Sequence, residues 1–193
     1  MMAGVGIVSL TAAIVEYSTA STVPTFHPQS TRYDQSTFLG RCFSMILACD
    51  SKLLFYSEQE TRNCKSMVLN YEQLLQNIPP GMTTDEMNRS LWEAQRISSA
   101  SLHPDTDSFI PQPFRMSGYV AFNGPICVAM VASTSTPALL FWSWVNQSQN
   151  ALVNYYNRNA ASEMSNETLI KSYSVAVASA LSVAFGLATF IQK

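Results

Sequence analysis

Trp142, Asn146, Asn150 and Asn154 recur every four residues, and Asn157 follows three further on. On an α-helix such residues share one face that drifts slowly around the axis. Each carboxamide offers two N–H donors and two acceptor lone pairs, so the row can replace water around a zwitterion or carboxylate without fixed charge. Arg158 closes the row with a guanidinium suited to an anionic group. The same asparagines would serve equally to hydrogen-bond neighbouring helices as structural glue, and spacing alone leaves both readings open.

His103-Pro104-Asp105-Thr106 is a second constellation. A histidine near a carboxylate could relay protons or bind metal. Asp105 or Thr106 could instead cap the next turn, with Pro104 fixing its entry. No second histidine stands nearby, which favours the structural role, and His27 is isolated. No Ser-His-Asp set, phosphate-binding loop, dinucleotide fingerprint or metal-ligand cluster is present, so no enzyme, catalytic residue, cofactor or metal is expected. Cys42, Cys49, Cys64 and Cys127 match no zinc spacing and read as unpaired structural thiols. A net charge of -2 offers no basic surface to nucleic acid. Three glycosylation patterns, beginning at Asn88, Asn146 and Asn166, are discounted as chance matches.

The elements that carry these residues are marked by missing charge. Only 12% of the 193 residues are charged, about half the usual share, and 47% are hydrophobic. Met116 to Asn157 is a run of 42 residues without Lys, Arg, Asp, Glu or His, and Ser172 to Gln192 is a second of 21. Crossing a hydrocarbon core takes ~20 residues of helix, so each run is long enough. A continuous helix from Tyr119 to Asn157 would reach ~58 Å against a core of ~30 Å, so Pro125 and Pro137 should break or kink it. The expected spans lie near residues 121–145 and 173–191. Along the second, Ala176, Ala180, Ala184 and Ala188 form one small-residue stripe and Ser174, Ala178, Ser182 and Gly186 another, as a helix with close neighbours would carry.

Ahead of the spans, residues 1–31 read as a poorly ordered leader rich in Ser, Thr and Ala. Its apolar stretch from Val5 to Val15 is too short to span and lacks the basic start of a secretory signal. Residues 32–115 read as an amphipathic helical segment. There Ser57 and Glu60 form a capping box, a helix stops before Pro79, and a second runs from Thr84 to just before His103. Residues 116–193 form the membrane region. The expected fold is all-α: a helical membrane protein with an N-terminal amphipathic helical segment and two transmembrane helices.

HPDT at His103 to Thr106, PFRMSGY at Pro113 to Tyr119 and FWSWVNQSQNALVNYYNRN at Phe141 to Asn159 together resemble the sideroflexins. RYDQSTFLGR from Arg32, PPGMT from Pro79 and LWEAQRI from Leu91 match in order, so the resemblance covers Arg32 to Lys193. PFRMSGY and NYYNRNA look most like the fifth sideroflexin subtype. The resemblance implies a multi-pass protein of the mitochondrial inner membrane that carries serine and related amino acids for one-carbon metabolism. Citrate or another tricarboxylate is the solute that the subtype implies. Asp107 stands where the family often has Gly, and Ser51 where a proline is expected. The chain ends at Lys193, after the second expected span, whereas family members continue for further helices; a truncated carrier, or a non-transporting membrane adaptor, is therefore also expected. Besides a small solute, the expected partners are membrane lipid and other membrane helices, a second copy of the chain among them.

Overall fold

The structure, a computed structural model, describes residues 2–19, 23–158 and 165–191. Every regular element among them is helical: α1 (Met2–Ser18), α2 (Phe38–Ala48), α3 (Glu58–Leu69), α4 (Tyr71–Gln76), α5 (Thr84–Ser101), α6 (Tyr119–Val131), α7 (Thr136–Tyr156) and α8 (Asn166–Ile191). Short 3-10 turns at Ser51–Phe55, Gln112–Phe114 and Met116–Gly118 join them.

In the N-terminal half the helix expected between Ser57 and Pro79 is divided at Asn70 into α3 and α4, and the helix expected from Thr84 forms as α5. Ser57 and Glu60 close a full capping box on α3, and Thr83 and Glu86 close another on α5. Met87, Leu91 and Trp92 of α5 bury against Phe26, with Val68, Tyr71 and Leu74 packed around them. Residues 23–28, in the stretch read as a leader, are strapped to α5 by polar contacts. Phe26 N–H donates to Asn88 Oδ1 at 2.8 Å, Trp92 Nε1 to Pro24 O at 2.9 Å and Gln95 Nε2 to Pro28 O at 3.0 Å. Asn88 is thereby buried, consistent with discounting its glycosylation pattern.

The same stretch also holds α1, whose Ala12 and Val15 bury against Leu47 of α2. Arg96 of α5 gathers the pieces: it pairs with Glu16 of α1, with Asp50 at 2.5 Å and with Glu93 at 3.1 Å, and donates to Leu47 O.

The first expected span is corrected by the structure. Residues 121–145 are not one kinked helix: α6 stops at Val131, the chain turns through Ala132 to Ser135, and α7 packs back along α6. The pairings run antiparallel: Met130 with Ser143, Cys127 with Asn146, Tyr119 with Asn150 and Phe114 with Asn157. Pro137 explains the stop, because a helix continued through it would lack one backbone bond and clash with Ser133 O, whereas in the first turn of α7 it is tolerated. Pro125 lies inside α6, which continues past it.

Among the described residues one helix, over Ile170–Phe190, is long and apolar enough to cross a membrane, and it coincides with the second expected span. The apolar stretch at Met116–Val131 is too short, and α7, although 21 residues long, carries Asn146, Gln147, Gln149, Asn150 and Asn154. Helix α8 packs along α7. Its Ala180, Ala184 and Ala188 are half-buried, while Ser174, Ala178, Ser182 and Gly186 face outward.

Candidate functional site

The asparagine row is split between two sides of α7. Asn150, Asn154 and Arg158, with Gln147, Ala151 and Tyr155, line a cavity of about 240 Å³ whose opposite wall is Ser172, Tyr173 and Ala176 of α8. Arg158 stacks its guanidinium 4.3 Å from the centre of the Tyr155 ring, which leaves Nη1 buried and without a hydrogen-bond partner among the described residues. Among the described residues the lining holds one cation and no anion. Tyr119 donates its hydroxyl to Asn150 Oδ1 at 3.5 Å, a long bond that a closer ligand could displace.

Asn146 lies one turn nearer the hairpin tip. It lines a groove of about 710 Å³ between α6, α7 and α8, bordered by Ala176, Ala180 and Ala184, and Cys127 Sγ is 4.0 Å from its Oδ1. Trp142 lines neither space; its ring packs edge-on against Phe141 at 5.3 Å. Asn157 turns the other way: its Nδ2 donates at 2.7 Å to Phe114 O and at 2.7 Å to Val153 O, closing the end of α7. It also borders a cavity of about 380 Å³ with Arg32, Trp92, Gln95 and Arg96 of the N-terminal half.

The two constellations that sequence holds apart meet in space. His103 is 7% exposed, and its Nε2 lies 2.7 Å from the carbonyl oxygen of Arg158. Its Nδ1 accepts from the N–H groups of Asp105 at 3.2 Å and Thr106 at 3.3 Å. A nitrogen that accepts twice carries no proton, so the network assigns the neutral Nε2–H tautomer and makes His103 the donor to Arg158. Pro104, Asp105 and Thr106 are exposed around the turn that this arrangement holds. Asp107 adopts φ +57°, in the left-handed region that favours glycine. Its carboxylate accepts from Lys65 Nζ at 2.6 Å, which with Arg62 holds its pKa below the usual value.

Residues of the cavity that sequence did not single out come from both helices. Tyr173 is central: its hydroxyl accepts from Trp144 Nε1 at 3.0 Å and bonds Ser148 Oγ at 2.8 Å, fixing the register of α8 on α7. Tyr155 was within reach of sequence, being one turn before Arg158 on the same face, whereas Tyr173 carried no local signal.

Residues 27–193 match the family described as Sideroflexins. Human Sideroflexin-5 is 40% identical over 174 residues, covering 90% of this chain and 49% of its own length. Sideroflexin-5 of Caenorhabditis elegans is 40% identical over 171 residues, 88% of this chain and 50% of its own. Human Sideroflexin-1 is 34% identical over 165 residues, 85% and 49%. The chain thus spans about half the length of these curated relatives. No solved structure matches it.

Proposed function

Because the chain belongs to the sideroflexin family, we propose that it forms the solute-binding part of a multi-pass carrier in the mitochondrial inner membrane, with serine as the solute. The observation that carries this reading is the cavity between α7 and α8, where Asn150, Asn154, Tyr155 and Tyr173 line the same space as the guanidinium of Arg158. Arg158 would take the carboxylate of a zwitterion through charge-assisted hydrogen bonds, and carboxamide oxygens would accept from its ammonium group. A tricarboxylate, the alternative solute, would bring more negative charge than one guanidinium balances. Family membership and the apolar length of Ile170–Phe190 support placement in a membrane.

The test is uptake of labelled serine into liposomes containing this chain, compared with the Arg158→Gln and Asn150→Leu variants. Serine accumulation above that of empty vesicles, lowered at least tenfold by either change, supports the reading; equal uptake with and without the chain refutes transport by this chain.

A membrane adaptor that does not transport is the second reading. Asn146, Asn150 and Asn157 already make contacts inside the α6–α7 hairpin, which favours a role for them as interhelical glue. Stable capture of partner helices with no solute flux would support it.

A further inference from the structure

Helix α1 shows apolar residues on two opposite sides. Ala12 and Val15 are buried, at 1% and 6% exposure, whereas Leu10, Ile14 and Tyr17 stand out at 62%, 57% and 87%. Steps of four and three put those last three in one stripe, on the side away from the buried pair. Polar side chains of α1 are meanwhile engaged by the protein. Ser9 Oγ donates to Asp50 Oδ1 at 2.9 Å, Ser18 Oγ donates to Val15 O at 3.0 Å, and Glu16, the one charged residue of the helix, pairs with Arg96. A helix that faces water has the reverse arrangement, with its polar groups outward. Single exposed apolar residues are ordinary on a protein surface, but a continuous stripe marks a contact.

The neighbours of α1 identify what covers the stripe. Helix α1 packs on α6 as well as on α2, and α6 itself turns Val128 and Val131 outward. In the membrane placement proposed above, the uncharged hairpin of α6 and α7 enters the bilayer. Met116, just ahead of α6, and Asn157, just past α7, line one cavity with Arg32, Trp92 and Arg96. The N-terminal half therefore sits where the hairpin meets the bilayer surface, with α1 against a helix that enters it.

We propose that α1 is an in-plane membrane anchor, whose Leu10, Ile14 and Tyr17 bind the phospholipid bilayer at the boundary of headgroups and acyl chains. At 17 residues the helix is about 26 Å long, short of the ~30 Å hydrocarbon core, so it lies along the surface and does not cross. Leu10 and Ile14 enter the acyl boundary, while the Tyr17 ring keeps its hydroxyl among the headgroups. Because Glu16 is held by Arg96, the outward stripe carries no charged side chain into that layer. The anchor rests on the proposed membrane placement, and it is indifferent to which solute is carried.

The experiment is photo-crosslinking of the full chain in vesicles of phosphatidylcholine and cardiolipin, with adducts identified by mass spectrometry. Benzoylphenylalanine, which inserts into C–H bonds beside it on irradiation, replaces one residue at a time: Ile14→benzoylphenylalanine, Tyr17→benzoylphenylalanine and, as a reference on α8, Phe185→benzoylphenylalanine. The expected result is phospholipid adducts at Ile14 and Tyr17 in yields of the same order as at Phe185. Adducts to a second copy of the chain at Ile14 and Tyr17, or no adduct there, with phospholipid adducts at Phe185, overturn the anchor and leave the membrane placement standing. Phospholipid adducts at Ile14 and Tyr17 but none at Phe185 support the anchor and refute the crossing by α8. An absence of phospholipid adducts at all three positions overturns both. Should the Ile14 variant fail to fold, Tyr17 decides, since that exchange puts one aromatic residue for another at a position fully open to the surroundings.

Discussion

The imidazole of His103 joins two parts of the chain 55 residues apart: Nε2–H donates to the carbonyl oxygen of Arg158, while Nδ1 holds the turn that follows it. Arg158 lies two residues past Tyr156, the last residue of α7, so this bond ties down the chain as it leaves the helix and fixes the backbone from which Arg158 reaches the cavity. His103→Asn separates the two jobs. Asparagine can still accept from the N–H groups two and three residues on, but it is too short to reach Arg158. The expected cost is roughly 1–3 kcal/mol of stability, the price of a buried group left unbonded. Urea unfolding in detergent checks it, and an unaltered midpoint would show that the bond contributes nothing.

Glu93 gives a pH dependence. Burial, the largest influence, raises its pKa above the usual value of 4.5, opposed by Arg96 and reinforced by Glu16. A carboxyl with a raised folded pKa binds its proton more tightly in the folded than in the unfolded chain. Its contribution to stability is therefore full below 4.5 and falls as pH rises through the folded value. Glu93→Gln should flatten the stability profile between 4.5 and the raised folded value. Denaturation midpoints measured across the interval test it, and parallel profiles for the two proteins would count against it.

Asp107 has two opposed effects in one residue, a left-handed backbone and an ion pair with Lys65 at 2.6 Å. Asp107→Gly relieves the first and removes the second, so it should change the unfolding temperature little. Asp107→Val loses the pair and places a β-branched residue at positive φ, so it should lower the unfolding temperature clearly. A ranking with valine at or above glycine would contradict the strained turn.

Gly40 near the start of α2 leaves no room for a side chain, since an added Cβ would lie 1.9 Å from Asp34 O. The obstacle is backbone, so Gly40→Ala should cost about 1–3 kcal/mol by overpacking. Loss of the contact between α2 and α1 would follow, read as faster amide exchange around Ala12 and Val15.

What could be read from sequence was local. The Ser57 capping box needs four residues, the buried face of α5 follows from Met87, Leu91 and Ile97, and the apolar length of Ile170–Phe190 needs only one run. The hairpin escaped because an uncharged stretch carries no mark of where it turns beyond Ser133, Thr134, Ser135 and Pro137. The strap of Phe26 on α5, the burial of α1 and the His103–Arg158 bond depend on residues between 32 and 80 positions apart, beyond any periodic signal. The asparagine row was legible as a helical face, but its division between Asn150 and Asn154 on one side and Asn157 on the other depends on where α6 and α8 pack.

The turn at Ala132 to Ser135 also decides topological parity. A stretch that goes in and comes back returns to the face it left, however deeply it dips, so Met116 and Asn157 share one side of the bilayer in the proposed placement. In the same proposed placement a crossing by α8 puts Phe190 on the side opposite His103, where two full spans would have brought both to the same compartment.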